Sequence, residues 1–152
     1  MINKTEEFIT IWKEARTRFS NQMENLSEAD MSKTLGEKSN SIGFLMRHIG
    51  DVELLFAKNV FGNKDVKVKA ETVIDGEDTG KWTDADELLQ YIKDSYSQLL
   101  ATLENVSEDE WEEEVETKEF GKKSKAEAFA RVVSHTAYHA GQIAIINKYS
   151  NK

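Results

Sequence analysis

The sequence contains no cysteine and no proline. The first absence excludes disulfides, zinc–thiolate sites and a protein thiol nucleophile, so any thiol chemistry must come from a diffusible partner. The second removes the commonest cause of helix kinks. Positive charge is also scarce, with 20 Lys and Arg against 28 Asp and Glu and a net charge of −8. That balance argues against a surface that tracks phosphates, and the one basic cluster, Gly121-Lys122-Lys123-Ser124-Lys125, reads as a solvated helix entry. No apolar run approaches the length of a membrane span, and Met1 to Glu7 lacks the apolar core of a signal peptide. A soluble, cytoplasmic protein with neither nucleic-acid nor membrane partners is expected. Histidine is scarce too, with three in 152 residues.

What is present is helical periodicity. An apolar fraction of 39% with 32% charged residues suits helices with narrow apolar stripes and wet outer faces, and the length suits one domain over residues 1–152. From Thr5 to Leu26 the residues Phe8, Trp12, Ala15, Phe19, Met23 and Leu26 recur at three- and four-residue intervals, which predicts a first helix. Ser27-Glu28-Ala29-Asp30 then reads as a capped short turn, and Thr34 to Asn40 as an extended connection. Asn40 or Ser41 caps a second helix that runs to about Val60. The span from Ala57 to Trp82 holds three glycines and many charges, and its role stays open. Thr83 with Asp86 predicts the start of a third helix bearing Leu88, Ile92, Leu99 and Leu103. A second Ser-x-x-acidic turn at Ser107 follows, then a polar extended segment from Glu112 to Lys123 and a fourth helix capped by Ser124 and Glu127.

The chain thus repeats one plan: long helix, acidic turn, long connection, capped helix carrying histidine. Connections in simple up-and-down bundles are usually shorter, about two to eight residues, so these two should cross the bundle end diagonally and make helices 2 and 4 neighbours. The fold class expected is an all-α four-helix bundle.

His135 and His139 stand four apart in the fourth helix, about 40° apart on one face and about 6 Å along it, so two imidazoles can grip one ion. His48 lies on the inward face of the second helix, with Leu45 and Val52 on one side and Phe44 and Leu55 on the other, while Arg47 and Glu53 point away. All three histidines can belong to one site. Three neutral imidazoles suit zinc, nickel or iron and leave a position for water or substrate. The alternative is that they are hydrogen-bonded core or pocket residues. Di-iron carboxylate bundles need Glu-x-x-His pairs, which are absent, and zincin peptidases need Glu where Thr136 stands. Asp51, Tyr138 and Gln142 lie near enough on their wheels to support a ligand or touch a substrate, and Arg131 could meet a substrate carboxylate or pair with an acid. Trp12, Phe19 and Phe44 read as core.

The runs Asn40-Ser41-Ile42-Gly43-Phe44-Leu45-Met46-Arg47-His48-Ile49-Gly50 and His135-Thr136-Ala137-Tyr138-His139-Ala140-Gly141-Gln142-Ile143 resemble the DinB/YfiT-like metalloenzyme superfamily, and a small bacterial branch within it. The resemblance implies a DinB-like bundle with helices 2 and 4 adjoining, a divalent metal on His48, His135 and His139, and a homodimer. It also implies kinship with metal-dependent transferases and isomerases that use bacillithiol, mycothiol or glutathione. The expected function is therefore a metal-dependent transferase in which the tri-histidine site, with zinc or nickel ahead of iron, activates a low-molecular-weight thiol. A metal-dependent hydrolase and a non-catalytic, stress-related metal- or ligand-binding bundle are the alternatives.

Overall fold

The computed structural model describes residues 1–150 of the chain. In chain order it holds α1 (Lys4–Met23), α2 (Ile42–Leu55), a short α3 (Glu71–Asp75), α4 (Ala85–Leu103), the strands β1 (Glu114–Thr117) and β2 (Gly121–Ser124), and α5 (Lys125–Tyr149). The four long helices are those the periodicity predicts. α1 ends at Met23 rather than Leu26, and α2 continues through one wide π turn, Phe56–Val60. Among the described residues no helix is long and apolar enough to cross a membrane.

Local chemistry sets the boundaries. The Ser41 hydroxyl accepts from the Phe44 amide at the start of α2, and Ser124 and Glu127 cap α5 reciprocally. α4 starts one residue later than expected: the Asp84 carboxylate, not Thr83, accepts from the Glu87 amide. Both acidic turns form, with Asp30 accepting from Ser27 and Glu110 from Ser107, so the repeated plan is present in the fold. The stretch from Glu112 to Lys123 is not merely extended. It folds back as an antiparallel hairpin with Val115 opposite Lys123, its turn closed by Gly121 at φ 70°.

α2 packs against α4 and α5, and α1 packs against α5 and lightly against α4. Of the helices consecutive among the long four, α1 with α2 and α4 with α5 are therefore diagonal across the bundle, while α2 and α4 adjoin. The loop from Met31 to Ser41 and the β-hairpin supply the length for those crossings. Close approach of the segment before α4 to the start of α2 depends on Gly43: a Cβ there would stand 1.8 Å from the Trp82 carbonyl oxygen.

The core falls into two apolar clusters. One gathers Phe19, Met31, Ile42, Leu45, Ile49, Ile92 and Ile143, the other Trp12, Leu54, Leu99, Leu103, Trp111 and Val132. Between them along every long helix come polar residues: Arg16 on α1, Glu53 on α2, Ser95 on α4 and the histidines on α5. Glu53 does not point to solvent, as a one-sided wheel suggests. It is fully buried and receives Arg16 through two 2.9 Å bonds, with a third from Ser95. The Arg16 guanidinium lies over the Phe19 and Tyr96 rings. Replacing Glu53 by Leu would strand that buried cation, at a cost of about 3–5 kcal/mol in denaturant unfolding. The pair Arg16→Met/Glu53→Leu should recover most of the loss. A double variant no more stable than the single one would sink this account of the ion pair.

Candidate metal centre

α5 projects His135 and His139 from one face, one turn apart, and α2 brings His48 against them. The His48 and His135 Nε2 atoms stand 3.1 Å apart, as do those of His135 and His139. Phe44 stacks on the His48 ring with its centroid 5.8 Å away. The structure thus brings the three histidines together in one cluster able to offer three ligand atoms.

What stands behind each ring decides which nitrogen carries the proton. Asp51 is fully buried on α2, and its Oδ2 accepts from the Thr72 hydroxyl at 2.7 Å and the Thr72 amide at 3.1 Å. The single hydroxyl proton of Thr72 is therefore committed to Asp51. His48 Nδ1, 2.9 Å from the Thr72 oxygen, must be the donor of that contact, which leaves the His48 Nε2 lone pair free. Gln142 presents its carbonyl oxygen 2.6 Å from His139 Nδ1, with the same consequence for His139. Two lone pairs thus face His135 Nε2. One proton on that atom cannot satisfy both well, whereas a cation among the three nitrogens satisfies all of them. Nitrogens held tetrahedrally at about 2.1 Å from zinc lie about 3.4 Å apart, close to the spacing seen, so the residues fit a divalent ion.

Electrostatics favours the ligand form. Burial, then the neighbouring His139, pushes His48 down to about 4, with Asp51 opposing more weakly. Burial, then His139 and His48, pushes His135 down to about 3. His139 is also lowered by burial, with the Gln142 hydrogen bond opposing. All three imidazoles are neutral at physiological pH.

Of the other predicted residues, Asp51 and Gln142 sit behind the histidine rings, Asp51 through Thr72. Tyr138 lies outside, 66% exposed, its ring edge-on to His139 at 5.2 Å. Arg131 is not on the cluster. It stands at the mouth of an adjoining cavity, 3.5 Å from Glu119. Arg47 corrects the wheel a second time: it turns inward to Asp51 at 2.9 Å and packs over Tyr91 and Trp82. Tyr91 donates the fourth hydrogen bond to Asp51, and burial with that carboxylate drives its phenol well above the ordinary range. The span left open, Ala57 to Trp82, supplies Thr72 from α3 and so covers the site. Thr72 lies 24 residues from His48 in a one-turn helix, and its one signal in the sequence is the need of a buried Asp51 for donors.

The chain belongs to the DinB superfamily, whose family model matches residues 11–143. No curated protein matches the sequence. Among solved structures, a mycothiol-dependent maleylpyruvate isomerase superposes with a TM-score of 0.72 at 19% identity over 94% of this chain, which spans 63% of that protein's length. YfiT from Bacillus subtilis, described as a probable metal-dependent hydrolase with an unusual four-helix bundle topology, gives 0.71 at 12% identity, covering 97% of this chain and 89% of YfiT. A conserved protein from Enterococcus faecalis gives 0.69 at 15% identity over 97% of both. At these identities the likeness establishes the fold.

Two outcomes follow from the geometry. Thr72→Val removes the hydroxyl between His48 and Asp51 and should weaken zinc binding about 10- to 100-fold in competition with a chromogenic chelator, while Thr72→Ser stays near the parent. Parental affinity in the Val variant would show that Thr72 does not orient His48. The second outcome concerns protons. Because the folded pKa values are depressed, the unfolded chain binds more protons below its ordinary value of about 6.5, so metal-free stability should be full above that pH and fall as pH drops towards about 4. NMR titration of the imidazole protons should place the His48 and His135 midpoints well below that of a free imidazole. Midpoints near the free value would contradict the burial argument.

Proposed function

We propose that this DinB-superfamily chain is a metal-dependent enzyme in which His48, His135 and His139 hold a divalent ion, zinc or nickel ahead of iron, that activates a small thiol of the bacillithiol class for transfer to an electrophile. The observation that carries the proposal is the convergence of three neutral imidazoles, two of them with tautomers fixed from behind, beside an open cavity. Three protein ligands leave a coordination position for a reactant, the arrangement of catalytic rather than structural sites. When bound, the ion would supply Lewis acidity that lowers the pKa of a thiol or a water.

The rest falls to the chain. Thr72 and Gln142 hold two rings by their Nδ1 atoms, and burial withholds protons from all three. Val52 and Phe56 give the adjoining cavity an apolar wall beside His135. With no cysteine in the sequence, the thiol would enter from outside. The mycothiol dependence of the isomerase that shares this fold supports a small thiol, and the description of YfiT supports a second reading, metal-activated hydrolysis at the same position. The homodimer belongs to the proposal as well. A groove of about 740 Å³ between α1 and α4, where Leu26 and Leu89 stand among Lys13, Thr17, Ser20, Glu24 and Lys93, offers a mixed apolar and charged face for the contact.

Elemental analysis of protein purified without a metal-binding tag should find about one divalent ion per chain, and little in a His135→Ala/His139→Ala variant. The loaded parent should then couple a small thiol to a chromogenic aryl halide, and the variant should not. Metal-free parent protein that gains no thermal stability from added zinc or nickel would overturn the proposal. Thiol-independent cleavage of simple esters, with no thiol coupling, would favour hydrolysis.

A further inference from the structure

The cavity beside His135 has a volume of about 300 Å³, at the lower end of the range for small-molecule sites (~300–1,000 Å³). Its walls differ in chemistry. Val52 and Phe56, from the end of α2 and the wide turn after it, form an apolar side, and Ser134, His135 and Tyr138 bring one face of α5. Arg131 and Glu119 close the mouth, one from α5 and the other from the turn of the β-hairpin.

Among the described residues Arg131 is the cavity's one cation, on a chain whose net charge is −8. Its guanidinium is braced 5.4 Å above the Phe120 ring, which fixes the fork near the opening. Among the described residues it makes no hydrogen bond that satisfies the fork: Glu119 approaches through one 3.5 Å contact, and the two side chains are 45% and 69% exposed. Such a pair contributes little and is easily exchanged. A carboxylate entering the cavity could take both arms of the guanidinium, which the Glu119 contact does not.

We propose that this cavity takes a small molecule with a carboxylate and a short apolar body: the carboxylate displaces Glu119 from Arg131, and the body lies along Val52 and Phe56 towards His135. The inference rests on reading the three-histidine cluster as the reaction centre, and it gives that centre a substrate class. Glu119 acts as an internal stand-in for the ligand's carboxylate, so it opposes binding and keeps the empty cavity neutral.

The test is an NMR titration of the whole chain with benzoate, and with benzamide as the uncharged match, on metal-free and zinc-loaded protein of measured zinc content. Benzoate should shift the Arg131 Nε–Hε signal and the Ser134 and Tyr138 amides, with benzamide at least about tenfold weaker. Arg131→Gln should weaken benzoate at least about tenfold and Arg131→Lys less, because lysine keeps the charge but loses the fork. Glu119→Gln should strengthen it about two- to fivefold by removing the competing carboxylate. A His48→Ala/His139→Ala variant, which leaves the cavity lining untouched, should lose zinc yet keep benzoate binding that depends on Arg131. Benzoate affinity unchanged in Arg131→Gln, or equal affinity for benzamide, overturns the assignment even if zinc binds. Zinc failing to bind while benzoate still requires Arg131 overturns the metal reading and leaves the carboxylate site standing.

Discussion

A carboxylate excluded from water must be met by donors, or its burial costs more than a small domain can bear. Asp51 is such a carboxylate, and its four donors come from Arg47 on its own helix, from Tyr91 on α4 and twice from Thr72 on α3. Much of the local structure follows from satisfying it. α3 is five residues long, far too short to be stable alone, and its amide and hydroxyl bonds to Asp51 hold it on α2. Tyr91 and Arg47 stack on each other because both are drawn to one acid, and Gly50 leaves the space: a Cβ there would meet the Tyr91 ring at 2.7 Å. The same requirement commits the Thr72 proton, and from that the tautomer of His48 follows.

Two residues further along α2, Glu53 makes an equal demand on the other side and draws in Arg16 and Ser95. The two acids mark a polar layer across the middle of the bundle, with apolar clusters on both sides. Replacing such a layer by well-packed hydrocarbon would be expected to leave the bundle about as stable as before. Among the described residues the hydrogen bonds of Glu53 and Arg16 go to each other, Ser20, Ser95 and Ile92 rather than to the histidines, so the layer extends beyond what holding an ion requires. Its effect is to fix how α1, α2 and α4 sit relative to one another at the depth where α5 presents its imidazoles.

This layer also marks where sequence reasoning succeeds and where it fails. Helix caps, the two acidic turns and the four apolar periodicities are local signals, and Ser41, Ser124, Trp12 and Phe19 take the roles that their spacing predicts. The convergence of His48 with His135 and His139 was legible because α2 and α5, the second and fourth long helices, become neighbours if both long connections cross the bundle. Arg47 and Glu53 were misread because a helical wheel assumes one wet face. α2 has none: it is covered by α4, α5 and α3 and by Arg16 from α1, and its charged residues had to find partners instead of solvent. Thr72 and the hairpin were illegible for a different reason. Each is a short element held by contacts distant in sequence, and neither carries a period long enough to detect.

The interposed hydroxyl of Thr72 does something that direct contact could not. A carboxylate touching His48 Nδ1 would favour the imidazolium and raise its pKa, returning protons to the ring in mild acid and competing with any cation at Nε2. With Thr72 between them, Asp51 still fixes the ring and its tautomer, but its charge reaches the imidazole from further away. Burial and the neighbouring His139 then outweigh it, and His48 is held down to about 4. Gln142 achieves the same separation at His139 by offering a neutral oxygen. Both rings are oriented by acceptors that carry no charge of their own, which keeps three adjacent imidazoles unprotonated while their ligand atoms point at one another.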